Sequence, residues 1–241
     1  MKRTVGIFAL FFILLGLTLS ARAQFGLGIG VGIHGGLDRF EIPSLDRSFK
    51  LADLTQVGVV REGFQNPKMA GLDLFVNTLP VIDLQISVDA SKMTYPLLYI
   101  RPNLYNPLQS DTTHYDVPFG RLGVYVSVKK NLIVFPPILK TLAVYVGGGV
   151  GAHYIAPVVS EKYILDHLKN AAEDLNTDEI LKEDIKKNMT YGWHLLVGIR
   201  LKVPILPVQV FGEGKMNFVP QGKYDQPSKF PSLYAGLAYM L

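Results

Sequence analysis

Between Phe25 and Gly36 the chain reads F-G-L-G-I-G-V-G-I-H-G-G, and its first ten positions alternate without exception. Phe25, Leu27, Ile29, Val31 and Ile33 share one face, while Gly26, Gly28, Gly30, Gly32 and His34 share the other. A period of two is that of a strand, which sends successive side chains to opposite faces. Glycine weakens strand interiors and is depleted from sheets, so a file of four on one face signals crowding rather than solvent. The inside of a narrow closed barrel is such a place, with the apolar face turned outward to lipid.

The alternation recurs along the chain. Strands are expected near Ala70–Asn77, Ile82–Ser91, Gly120–Lys129, Thr141–His153, Tyr191–Val203, from Val208 to about Phe218, and at the C-terminus through Leu241. With the opening strand this makes eight, and segments of about nine to eleven residues suit a tilted transmembrane strand. Ten strands result if Gln56–Arg61 or Tyr95–Ile100 also pair within the membrane. The strand charges fall on the second face: Asp73, Asp83, Asp89, Arg121, Lys129, Arg200, Lys202, Glu213 and Lys215. Side chains fill the interior of an eight-stranded barrel, so these mixed charges are expected to pack as an ion-pair network. A polar conduit for ions or small solutes is the alternative. Aromatic residues near strand ends on the apolar face form the expected interfacial girdles, Phe25 and Tyr239 at one end and Trp193 and Phe218 at the other.

Connections alternate between short, Pro-containing turns and long links near Leu37–Met69, Lys92–Pro118, Ile155–Thr190 and Val219–Pro231. This asymmetry is that of a barrel with short periplasmic turns and long outer loops. The third long link carries Ile164, Leu168, Ala171, Ala172 and Leu175 at helical spacing, and Asn176 with Glu179 suggests a capping box for a second helix, Asp178–Asn188. Tyr95, Tyr99, Tyr105 and Tyr115, set among prolines in the second link, are expected to offer a contact surface. His34, His153 and His194 fall inward near the outer strand ends, where they read as polar rim residues bonded to loops rather than as a metal or protonatable cluster. No spacing suggests a nucleophile–base pair, so neither a catalytic site nor a cofactor is expected.

Lys2 and Arg3, an apolar run from Val5 to Leu19 and the small-x-small tripeptide Ala21-Arg22-Ala23 describe an export leader cut after Ala23. Residues 24–241 are then the mature domain, and their formal charge falls from the precursor's +4 to about +1 because three basic residues leave with the leader. A near-neutral mature chain is not expected to bind nucleic acid. The absence of cysteine excludes disulfides, thiol catalysis, Cys-ligated metals and a lipid-modified N-terminal cysteine. No mature apolar run is long enough for a spanning helix, so entry into a membrane requires a closed barrel.

The whole mature pattern resembles the small outer-membrane β-barrel proteins, the eight-stranded class typified by outer membrane protein A. The likeness rests on pattern rather than a signature motif, and the terminal aromatic common in such chains is replaced by Leu241, with Tyr239 two positions before it. It implies an all-β fold: an antiparallel eight-stranded transmembrane up-and-down β-barrel with a helical insertion in one long outer loop. It implies an outer-membrane location in a Gram-negative envelope, lipid and the barrel-assembly machinery as partners, and an extracellular partner met through the loops. The expected role is structural or adhesive, with a filled lumen. The other readings are a narrow solute channel and a soluble periplasmic binding barrel.

Overall fold

The computed structural model describes residues 28–77, 82–103, 105–106, 108–135, 142–170, 173–176, 189–203 and 206–241. The leader, Phe25, the first tight turn at 78–81 and the prolines at 136, 137 and 204 lie outside these residues. In chain order the elements are β1 (Gly28–Asp38), β2 (Glu41–Ile42), β3 (Leu45–Lys50), β4 (Gln56–Arg61), β5 (Phe64–Gln65) and β6 (Lys68–Asn77). There follow β7 (Asp83–Pro102), β8 (Ser110–Val134), β9 (Leu142–Ile155), the short helix α1 (Glu161–His167), β10 (Met189–Lys202), β11 (Val208–Phe218) and β12 (Lys229–Met240).

Among the described residues, eight antiparallel strands close a ring in the order β1, β6, β7, β8, β9, β10, β11, β12. The glycine-rich strand β1 makes the closure. It pairs with β6 on one side, Ile33 opposite Leu72, and with the last strand β12 on the other, Ile33 opposite Leu237. A closed ring has no free edge, so its backbone groups are satisfied without water. Alternating residue types become alternating exposure: Ile33 is 62 % exposed, whereas His34 is 5 % and Asp38 is fully buried. The outward rows are apolar on every strand, including Leu72, Val88, Val124, Val150, Leu195, Val197, Ile199, Val210 and Leu237, all exposed. The glycines opposite them make room for large inward groups. A Cβ on Gly71 would lie 2.3 Å from His34 Nε2, and one on Gly198 would lie 2.5 Å from the Tyr145 hydroxyl.

The long links depart from the expectation of loops. The link near Lys92–Pro118 is mostly strand, because β7 and β8 run past the ring and stay paired from Asp83 opposite Lys129 to Pro102 opposite Ser110. Pro is tolerated chiefly on edge strands. Pro118 sits where β8 has only β7 beside it, and Pro96 lies just past the last β4 pair. Gln56–Arg61 and Tyr95–Ile100 do form strands, yet they pair with each other beyond the ring, with β3 flanking β4, so the barrel stays at eight.

The expected helix from Ser160 to Leu175 shrinks to α1, whose N-cap Ser160 accepts from Tyr163 N–H. Leu168 and Leu175 are buried without being helical. The second expected helix, 178–188, lies outside the described residues. These segments share a second core, in which Val57, Val59, Tyr95, Leu97, Tyr99, Val117 and Phe119 pack with Phe40, Phe64, Val159, Ile164 and Phe230. The loop end of the barrel therefore carries a folded cap.

Candidate functional site: a filled lumen beneath a folded cap

Inward positions on the eight strands bring charged groups together in tiers. At the end with the short turns, Arg200 pairs with Asp83 at 2.6 Å and donates to Asn131 at 2.7 Å. Above it Lys129 pairs with Glu213, which also accepts from the Tyr145 hydroxyl at 2.7 Å and the Tyr234 hydroxyl at 2.5 Å. In the middle, His34 Nδ1 meets Asp73 at 2.7 Å and Nε2 lies 3.1 Å from Asp89. Gln85 donates to Asp73 at 2.5 Å, and Lys215 pairs with Asp89 at 3.1 Å. At the loop end, Arg121 holds Asp38 through Nε at 2.6 Å and through a terminal nitrogen at 3.0 Å. Asp38 also accepts from Ser232, and Arg121 donates to the Tyr125 hydroxyl.

Most of these groups are enclosed. The side chains of His34, Asp38, Asp73, Asp89, Arg121, Glu213 and Lys215 have no exposed surface. A charge taken out of water is tolerated when it is paired and its remaining bonds are met. Each carboxylate here has a cationic or imidazole partner, and several have a hydroxyl or amide besides.

Directly above Arg121 the chemistry changes. Phe230 lies against its guanidinium at 5.4 Å, and Phe40 meets Phe119 and Phe230 edge-on at 5.5 and 5.9 Å. Phe64 stacks on Tyr95 at 4.5 Å. This aromatic layer seals the lumen and begins the cap core. Two polar ties fasten it: the Tyr95 hydroxyl accepts from Val159 N–H at 3.0 Å, and Arg61 donates to Val159 O and Pro43 O at 2.7 and 2.9 Å. Burial pushes the Tyr95 hydroxyl up to about 12 and pulls the Arg61 guanidinium below its usual value.

Of the residues expected in the lumen, Asp83, Asp89, Arg121, Lys129, Arg200, Glu213 and Lys215 lie within these tiers, while Lys202 is exposed at the end of β10. Asp38 was missed because the opening strand extends two residues further than read, although it shares parity with His34. In the girdle, Trp193 stacks on Phe218 across β10 and β11 at 3.9 Å, and Tyr239 is exposed on β12.

The histidines are not rim residues. His34, His153 and His194 are all buried, and their contacts are with lumen side chains rather than loops. Tyr95 and Tyr99, expected on a contact surface, are core residues of the cap, whereas Tyr105 is 97 % exposed at the β7–β8 tip.

One juxtaposition escaped the sequence. Ser127 Oγ and His194 Nε2 stand 2.8 Å apart, a nucleophile–base distance. His194 Nδ1 has no hydrogen-bond partner, so no third group orients the ring, and both side chains are buried. Among the described residues, no three His, Asp or Glu side chains gather as a metal-binding set.

No family model matches the chain, and no curated protein matches it. Among solved structures it is similar to the N-terminal β-barrel domain of Pseudomonas aeruginosa OprF, at 8% identity and a TM-score of 0.43 over 89% of this chain and 97% of that one. Neisserial surface protein A gives 11% identity and a TM-score of 0.43 over 89% and 96%. The outer membrane protein OprG from Pseudomonas aeruginosa gives 11% and 0.38 over 89% and 95%. The architecture itself rests on the strand register.

Proposed function

We propose that the protein is an integral outer-membrane barrel with a filled lumen, and that it acts structurally or by binding through its outer cap rather than by catalysis. The observation that carries this reading is the inverted distribution of side chains. At barrel level the ions are inside and the aliphatic residues outside, with Ile33, Val150, Leu195, Val197, Ile199 and Leu237 all more than half exposed. A soluble barrel would bury those residues and solvate the charges. Residues 1–23 then act as the leader, and folding falls to the barrel-assembly machinery.

The binding role is supported by the far end of the cap. Leu54 at the β3–β4 tip is 76 % exposed, and Tyr105 and Leu108 at the β7–β8 tip are almost fully exposed. The pairing of β4 with β7 sets both tips at the same end of the sheet, where one partner could meet both.

A narrow channel is the second reading. It is favoured by lumen atoms without a protein partner, Gln85 Oε1, His153 Nε2, His194 Nδ1 and Asn217 Oδ1, which water would meet.

Refolding residues 24–241 into vesicles tests both. The expected result is faster gel migration unboiled than boiled, only when lipid or detergent is present, with no step conductance in planar bilayers. Discrete conductance would shift the function to transport; folding in plain buffer would overturn the membrane reading.

A further inference from the structure

Two of the exposed lysines on the outer wall of the barrel stand together. Lys68 on β6 and Lys92 on β7 are direct cross-strand partners, and both are exposed. Opposed residues on one face have Cβ atoms about 5 Å apart, and like charges there repel. The other register neighbours offer no relief, since Leu37 faces Lys68 and Gly120 faces Lys92. Arg39, exposed just past the end of β1, adds a third positive charge. Among the described residues none of the three has an ion-pair partner. A pair of lysines held face to face without a carboxylate is compensated most simply by an anion from outside the chain.

The position tells which anion. The outward row of β6 runs Lys68, Ala70, Leu72, and that of β7 runs Lys92, Ala90, Val88, with Ala70 opposite Ala90 and Leu72 opposite Val88. The two lysines thus mark where the apolar belt ends. Two small alanines lie directly beneath them. From Leu72 an open groove of about 400 Å³ continues along the outer wall, lined by Val31, Ile33, Leu72, Val208, Leu237 and Tyr239. Leu72 is four residues from Lys68, roughly 13 Å along a strand. A molecule with a phosphate at one end and a hydrocarbon chain at the other matches this sequence of surfaces.

We propose that Lys68 and Lys92, with Arg39, bind the phosphate of an anionic outer-leaflet lipid whose acyl chain lies over Ala70 and Ala90 into the Leu72–Leu237 groove. The inference rests on the outer-membrane reading, and its test separates the two. The full mature chain is refolded into phosphatidylcholine vesicles, and its association with spin-labelled phosphatidylglycerol is compared with that of spin-labelled phosphatidylcholine. The wild type is expected to prefer the anionic lipid. A basic residue near an anionic surface contributes about 1 kcal/mol, so the preference should fall about fivefold per lysine in Lys68→Gln and Lys92→Gln. Lys130→Gln, an exposed lysine toward the opposite end of β8, should leave it unchanged.

The mobility shift on gels reports whether each variant has folded. Insertion of the wild type with no anionic preference, or a preference retained by the double variant, overturns the lipid site alone. Full displacement of the lipid by inorganic phosphate points to a free-anion site and also overturns it. A wild type that never inserts overturns the membrane reading and this site with it.

Discussion

Replacing Lys129 by Met tests whether the lumen is packed or wet. Lys129 is 5 % exposed at the side chain and Glu213 not at all, and the ammonium also lies 4.7 Å from the Tyr145 ring centroid. The variant removes the cation paired with Glu213 and leaves the carboxylate with two tyrosine hydroxyls. Breaking a buried ion pair from one side costs about 3–5 kcal/mol, because the remaining charge stays desolvated. Glu213→Gln strands Lys129 and should cost a similar amount. The double variant keeps an acceptor oxygen for one of the two tyrosines, offers an amide N–H to the other and removes both charges, so its loss should be smaller than the sum of the singles by about 1–3 kcal/mol. With a urea slope of about 2 kcal/mol per M, each single change lowers the unfolding midpoint by roughly 2 M. The folded fraction is read from the unboiled gel band after urea titration in vesicles. Single-variant losses below about 1 kcal/mol, the range of a solvated pair, would refute the argument: water would then share the lumen, and the channel reading would gain.

Other outcomes follow from named contacts. Gly71→Ala should cost about 1–3 kcal/mol, since its Cβ would press on His34 and on Val88 O at 2.5 Å, whereas Gly35→Ala, with nothing nearer than 3.8 Å, should leave the urea midpoint unchanged. Phe119→Ala empties the junction of lumen and cap and should cost the cap about 3–5 kcal/mol, seen as new protease cleavage between residues 40 and 66 in a barrel that still shows the gel shift. Tyr95 supplies a pH dependence. Its folded value is raised from 10.0 to about 12, so its contribution is full below pH 10 and declines as the pH rises to about 12, which protease sensitivity of the cap over that window will report. Changing Leu54, Tyr105 and Leu108 together to Ser should leave stability within about 0.5 kcal/mol and remove binding to any surface the tip recognises.

The ring was legible because β1, β7 and, as far as Asn131, β8 keep period two and because inside and outside differ so sharply in chemistry. Arg121, Lys129 and Lys215 could be assigned to the lumen by parity alone. Lys202 has the right parity too, yet parity does not locate a strand end, and β10 ends at Lys202 itself. The strands of the cap were hidden for a different reason. Met93, Tyr95, Leu97 and Tyr99 continue the alternation of β7, but Pro96, Pro102 and Pro118 read as loop markers, and a proline's tolerance depends on which neighbour the strand has. Leu168 and Leu175 at helical spacing misled because their burial comes from the cap core and needs no helix. His153 and His194 were placed too near the rim, since the height of the cap above them is a tertiary property.

The ladder shared by β7 and β8 has a mechanical consequence. It runs unbroken from the short-turn end of the barrel to the tip, so its last ten residues reach about 30 Å beyond the Lys92 level while remaining part of the wall. A pull on Tyr105 and Leu108 draws β7 and β8 the same way, so the load passes to the β6–β7 and β8–β9 ladders, whose hydrogen bonds share it in shear instead of opening one at a time. The tip is therefore less a loop on a tether than the end of a stiff mast stepped into the barrel wall.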